Sequence, residues 1–347
     1  MAEPITLYDH IADNNRKTFL LILLFPLSLC LLVGLACIAG VYIIGDPAFT
    51  RDGVTVFLSF FPRLHIYLTS TTAPIFSGIG YTYFALVPIC IIAFIWMGLS
   101  YLFGDMMMLR FARAKPIEQK DFPKVYRLVE NVAIAAGLPM PAVCIIDDTS
   151  LNAFATGRNP QSASIVLTTG IIDRLEPTEL EAVIAHEMAH IGNRDIRLNM
   201  LIITGLGIFG LLADFLGESL RYSSYSSNKK QGQLTILIFL IMVALMIFNF
   251  LIAPLIQFAI SRKREYAADA TGALIIRNPL ALASALEKIS QDARVEVLDH
   301  QPKMSIACIA NPRENAKRKI KDDLLSTHPN IQSRIWRLKR AAGQLSH

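Results

Sequence analysis

The chain has 347 residues, of which 53% are hydrophobic and only 18% charged, and its mean hydropathy is +0.44; this is too apolar for an ordinary soluble protein and points to an integral membrane protein. The net charge of +5 comes from Lys and Arg gathered near the ends of apolar runs, a membrane pattern with no nucleic-acid footprint. Five cysteines without a CxxC, three of them (Cys30, Cys37 and Cys90) inside apolar runs, give no sign of a disulfide framework or a cysteine-ligated metal.

Residues 1–17 form a short polar N-terminus, and residues 18–44 a charge-free apolar run containing Pro26. That run exceeds the core of a secretory signal, so it reads as a retained membrane helix. Residues 45–78 carry Asp46, Arg51, Asp52 and Arg63 and form a loop to which no role is assigned. A second span is expected over 79–103, followed by the basic residues Arg110, Arg113 and Lys115. Residues 104–197 then form a small α+β unit. Within it, Val125, Leu128, Val129 and Val132 at helical spacing predict a helix over 121–137, closed by Gly137 and Pro139. The β-branched runs 142–146 and 164–169 predict strands, with Asn152, Ala153, Phe154, Ala155, Thr156 and Gly157 between them.

Two more spans are expected, at 198–216 and 234–260, separated by a Ser-rich turn at 217–233. The third carries Asn199 and Asp214 near its ends, and a buried soluble helix remains open for it. Residues 261–347 complete the soluble part. With four spans, Arg16, Lys17, Arg110, Arg113, Lys115, Arg194, Arg197, Arg262, Lys263 and Arg264 fall on one side. Arg51, Arg63, Arg221, Lys229 and Lys230 fall on the other. The positive-inside rule then places both termini and the soluble part in the cytoplasm.

The chemistry resides in 178–195. His186-Glu187-Met188-Ala189-His190 is an HExxH, and Thr178 with Glu181 reads as a capping box opening its helix. Residues four apart share a helix face, so His186 and His190 can present two imidazoles to one ion with Glu187 beside it, the arrangement of a zinc peptidase. The chain leaves this helix into the third span and returns from the fourth at Arg262-Lys263-Arg264-Glu265. A helical hairpin brings its ends together, so Glu265 is the expected third metal ligand, and a water in the open fourth position makes the site catalytic. Asp269, one turn further along the same face, is expected to orient one histidine, His186. On spacing alone, an interfacial charge cluster formed by Arg262 to Arg264 with Glu265 and Asp269 stays open.

His186 to His190 followed by Asn193-Arg194-Asp195, the run Ser261 to Asp269, Asn152 to Gly157, Thr327-His328-Pro329 and Arg334-Ile335 together resemble the HtpX family of membrane zinc metalloproteases. They are more distantly similar to the CAAX prenyl endopeptidases. The resemblance spans nearly the whole chain, although 45–78 is long for the family and 292–323 is charged and poorly patterned. It implies a gluzincin-like catalytic domain in the cytoplasm, carried by four transmembrane helices. The cofactor implied is one Zn²⁺ per subunit, with Glu187 as general base. The partners implied are the lipid bilayer and protein substrates, chiefly damaged membrane proteins of a bacterial-type inner membrane, with self-cleavage in detergent. Residues 152–157 would line the substrate cleft, an ordinary turn being the alternative. His328 and Arg334 resemble the family's pair near substrate and oxyanion; read from the residues alone, they are a helix N-terminus and a surface residue. A prenyl-protein processing protease and a catalytically silent zinc-binding scaffold are the competing functions. Oligomeric state is not legible.

Overall fold

The computed structural model describes residues 7–44, 79–205, 262–292, 307–310 and 329–343, with isolated positions between. His328, the loop 45–78 and nearly all of 206–260 lie outside the described residues. The chain divides into two compact units: residues 1–19, 99–205 and 254–347 form one, and residues 20–98 and 206–253 the other.

In the second unit, the described parts of helices α1 (Leu7–Ile44) and α2 (Ile79–Phe111) expose Leu23, Leu24, Leu31, Ile91, Ile92 and Ile95. Among the described residues, the stretch Ile91–Phe111 is long and apolar enough to cross a membrane. The helix runs on to Phe111, eight residues beyond the expected end of the second span, so Arg110 lies in its last turn.

The first unit holds a four-stranded sheet in the order β1-β2-β4-β3, formed by β1 (Lys115–Pro116), β2 (Ala142–Ile146), β3 (Ala153–Thr156) and β4 (Ser164–Thr168). The central β2–β4 pair is parallel, and β1 and β3 flank it antiparallel. All four residues of β3 are buried, so 153–156 is an edge strand rather than the turn left open by the sequence. Helix α3 (Pro123–Ala136) turns Val125, Val129 and Val132 inward and ends at Gly137, whose φ of 66° lies where glycine alone is unstrained. After the short helix α4 (Thr169–Arg174) comes α5 (Pro177–Gly192), the HExxH helix.

Helix α5 is not opened by Thr178 and Glu181. Glu176 is the N-cap, Pro177 occupies the first helical position, and Glu179 reaches back to the amide of Glu176 at 2.9 Å. Proline is tolerated in the first turn because its missing N–H would find no helical partner there, which moves the start two residues upstream of the Thr178 reading. Glu179 also accepts from Ser284 Oγ and Lys288 Nζ, both at 2.6 Å. These belong to α7 (Pro279–Ile289), which follows α6 (Arg262–Ile276) and precedes α8 (Ile331–Ala341).

From Ala182 to Ile191 every residue of α5 is buried, because α3, α6, α7 and β3 surround it. Its apolar residues join Val143, Ile165 and Leu167 of the sheet and Leu282 and Leu286 of α7 in one core. The helix does not run unbroken into the apolar stretch that follows. It stops at Gly192, the chain turns at Asn193 and Arg194 (φ 60°), and a new helix begins at 195 and is described to 205.

Candidate metal centre

His186 and His190 lie one turn apart on α5, and their rings meet edge to face with centroids 4.7 Å apart. Helix α6 crosses α5 closely enough for Glu265 to reach both. Gly272 permits this: a Cβ there would lie 2.9 Å from the backbone nitrogen of His186 and 3.0 Å from its Cα. The two Nε2 atoms are 3.2 Å apart, and the Glu265 carboxylate stands 3.6 Å from His190 Nε2 and 3.9 Å from His186 Nε2.

Behind each imidazole stands a carboxylate. His190 Nδ1–H donates to Asp195 Oδ2 at 2.8 Å, and Asp269 Oδ1 lies 3.0 Å from His186 Nδ1. Each carboxylate is in turn held by an arginine. Arg264 contacts Asp195 at 3.1 Å, and Arg334 grips Asp269 through Nε at 2.9 Å and Nη2 at 2.7 Å while its Nη1 donates to the carbonyl of Ile309. Arg264, Glu265 and Asp269 are all buried, so they do not form an interfacial charge cluster. Arg334 is 1% exposed, so it is no surface residue.

The donor set fits a divalent metal ion. A tetrahedral ion with bonds of about 2.0–2.1 Å needs ligand–ligand edges of about 3.3–3.4 Å; the separations of 3.2, 3.6 and 3.9 Å are close to that. With Nδ1 of each ring turned to a carboxylate, the two Nε2 atoms face each other at a separation that a shared proton or a metal ion can bridge, and Arg334 Nη2 stands 3.4 Å from His186 Nε2. The buried carboxyl groups Glu187, Asp195, Glu265 and Asp269 outnumber the guanidiniums of Arg264 and Arg334 by two, the charge of one such ion. His186, His190 and Glu265 are a group able to hold a metal.

The same excess of negative charge acts on the ionisable groups of the centre. Burial by itself would lower the pKa of His190, but its hydrogen bond to Asp195 and the charges of Glu265, Asp195 and Glu187 push it up to about 9. Burial raises Glu187, against the lowering effect of His186 and His190. For Asp195 and Asp269 burial is outweighed, chiefly by Arg264 and Arg334 respectively, and both are held below the usual carboxylate range. Both oxygens of Glu187 are buried without a hydrogen-bond partner among the described residues.

Along the edge of the centre runs β3. The carbonyl of Ala153 points away from β4, since it accepts from the amide of Ile309 at 2.9 Å. Alternation along a strand therefore turns the N–H and C=O of Ala155 outward as well. Phe154 and Thr156 hydrogen-bond toward β4, Asn152 donates its side-chain amide to the carbonyl of Ala310, and Gly157 leaves the strand at φ 143°.

The sequence profile of peptidase family M48 matches residues 119–342. The HtpX protease homolog of Bacteroides fragilis (strain YCH46) is 42% identical over 246 residues, 70% of this chain and 76% of that one. The HtpX protease homolog of Dictyoglomus thermophilum is 33% identical over 337 residues, 97% and 95% of the two chains. The chain belongs to peptidase family M48, among its HtpX-type members. A solved structure, that of S. mikatae Ste24p, overlays 83% of this M48 chain and 65% of its own length, under two thirds, with 19% identity and a TM-score of 0.44.

As an HtpX-type M48 peptidase the chain is a membrane metalloprotease, and every residue of the metal centre from His186 to Arg334 lies within the matched region. Asp195, expected only as part of the motif after the second histidine, Arg264, expected only in a charge cluster, and Ile309 had no role in the site from the residues alone. For Asp195 the signal was present, as an acid five residues after the second histidine across a turn; Ile309 left no pattern.

Proposed function

We propose that the chain is a zinc-dependent endopeptidase that hydrolyses peptide bonds of misfolded or damaged membrane proteins at the cytoplasmic face. The observation carrying this reading is the buried convergence of His186, His190 and Glu265, with the unpartnered carboxylate of Glu187 beside them. Two imidazoles and one carboxylate form a donor set suited to catalytic zinc. When bound, the ion supplies a Lewis acid that polarises the scissile carbonyl and acidifies water.

Glu187 acts as general base. Its carboxylate takes a proton from the attacking water as the new C–O bond forms, and returns it to the departing nitrogen as the C–N bond breaks. Burial raises its pKa, which favours the protonated form it holds between the two transfers. Asp195 and Asp269 hold the two rings with Nε2 toward the ligand position, and Arg264 and Arg334 keep those carboxylates charged. His328 and Arg334 are assigned to the substrate side by resemblance; the grip of Arg334 on Asp269 supports a positioning role for the arginine.

An extended substrate adds to the outer edge of β3, taking backbone hydrogen bonds at Ala155, with 152–157 as the cleft wall. The pairing of Ile309 at Ala153 bounds that edge on one side. Four spans, with both termini and the centre in the cytoplasm, place the site where loops of membrane proteins are within reach. Fusions reporting cytoplasmic location after Ser150 and His300, and the opposite after Phe60 and Tyr225, test this topology.

The deciding experiment is casein cleavage by the purified chain in detergent, with and without a zinc chelator. Cleavage abolished by chelation, restored by zinc, and absent from Glu187→Gln while that variant retains zinc is the expected result. Full cleavage by Glu187→Gln rejects the mechanism.

A further inference from the structure

We propose that Asn14, near the N-terminal end of α1, is a positioning residue of the metal centre, acting on His190 through Asp195. The inference rests on the metal-site reading above and extends it to a segment outside the matched catalytic region. Asn14 and Thr18, one turn apart, form the buried face at the start of α1. Asn14 Nδ2 donates to Asp195 Oδ1 at 2.7 Å and to the carbonyl of Asn193 at 2.9 Å. Both amide hydrogens are therefore committed to the turn that follows the HExxH helix.

The chemistry asks for an amide at this position. Asp195 Oδ2 holds His190, and Oδ1 is shared by Asn14 and Arg264, so the carboxylate is pinned from three elements. Asn14 Oδ1 is buried without a hydrogen-bond partner among the described residues, so the residue serves as a double donor. An aspartate of identical shape would lose both donors and set a second negative charge against Asp195. The neighbouring Asn15 accepts a hydrogen bond from Arg197, which fastens the same segment one residue further on.

The consequence is that the N-terminal segment, more than 170 residues upstream of its partners, tunes metal affinity. Partners of the carboxylates that orient metal-bound histidines set metal affinity by about 10–100-fold. Asn14 stands one contact further out, so a loss of about tenfold is expected.

The test uses the full chain in detergent. Zinc affinity is measured by chelator competition, and coordination geometry by the visible absorption bands of the cobalt(II)-loaded protein, for wild type, Asn14→Ala, Asn14→Asp and Asn14→Gln. Asp13→Ala, which removes only the exposed ion pair to Lys17, is the control. Expected are zinc binding weakened about tenfold in Asn14→Ala and more in Asn14→Asp, shifted cobalt bands in both, and partial recovery in Asn14→Gln, which keeps the donors. The metal-free Asn14→Ala and Asn14→Asp proteins should also melt below wild type, since buried hydrogen bonds are lost; weakened zinc binding and shifted cobalt bands are the readouts that a purely structural role would not move. Wild-type zinc affinity and cobalt bands in Asn14→Asp overturn the proposal, as does a loss confined to melting temperature. If wild type and Glu265→Ala bind zinc equally, the metal-site reading itself fails; if only wild type and the Asn14 variants agree, that reading stands and this inference falls.

Discussion

Asp195 Oδ2 accepts the Nδ1–H of His190 at 2.8 Å across a chain reversal, because the HExxH helix ends at Gly192 and Asn193 and Arg194 turn the backbone before Asp195 opens the next helix. This contact fixes which nitrogen of His190 faces Glu265. Asp195→Asn keeps the shape but removes the charge, and the side-chain amide can present its own N–H to Nδ1, favouring the wrong tautomer. Zinc affinity should fall about 10–100-fold. Metal content after dialysis against a weak chelator measures it, and retention equal to wild type would remove Asp195 from the site.

Arg334 is the second buried fastening. Its two-pronged contact with Asp269 leaves no room for a point charge to substitute, so Arg334→Lys should not rescue Arg334→Ala. Removing one partner of a buried ion pair costs about 3–5 kcal/mol because the other stays buried and uncompensated. Both variants should melt well below wild type and lose activity. If Arg334→Lys melts with wild type, the planar fork is not required.

What could be read from the sequence was whatever obeys a short period or a simple topology. His186 and His190 share a face because they are four apart, and Glu265 was expected beside them from the return of an apolar hairpin whose residues 206–260 lie almost wholly outside the described residues. Helix α3 and the two central strands were legible from their apolar pattern. Asp195 depends on a turn whose left-handed position is filled by Arg194, where glycine would have been the visible signal. Glu176 and Glu179 were missed because Thr178 offers a more familiar cap, and the register was settled by Pro177 and by the contacts of Glu179 with α7. Asn14 lies in an unremarkable polar stretch, and Arg264 and Arg334, though within the motifs that carry the family resemblance, are turned inward only by the packed fold. The strand at 153–156 is too short for alternation to declare itself.

Gly272 allows α6 to lie against α5 at His186. A methyl group there meets the His186 backbone at 2.9–3.0 Å, and backbone on a fully buried helix has nowhere to move. Gly272→Ala should therefore separate the helices and draw Glu265 away from the histidines. The expected stability loss is about 1–3 kcal/mol, typical of overpacking. Metal affinity should fall in parallel, although no ligand has changed. Ala273→Gly, next to it in the same helix, provides the comparison: it should destabilise through helix propensity and lost burial while zinc affinity holds. Equal zinc affinity in Gly272→Ala and wild type would show that the approach of α6 does not set the ligand geometry.

Glu179 links the start of the HExxH helix to α7, and its contribution should depend on pH. Burial alone would raise its pKa, but the hydrogen bonds from Lys288 and Ser284, with that from the Glu176 amide, hold it below the ordinary value of 4.5. A carboxylate whose folded pKa is depressed adds stability that is fully present above its unfolded pKa. That stability is lost as pH falls through the lower folded value. Lys288 is 38% exposed, so water screens the pair, and about 1 kcal/mol is expected rather than the larger value of a sealed pair. Glu179→Gln should thus melt below wild type at pH 7, and the gap should close as the pH is taken down from about 4.5. Metal loss in acid would obscure this, so both proteins are compared metal-free. A gap that stays constant from pH 7 to pH 3 would assign the effect of Glu179 to packing and not to its charge.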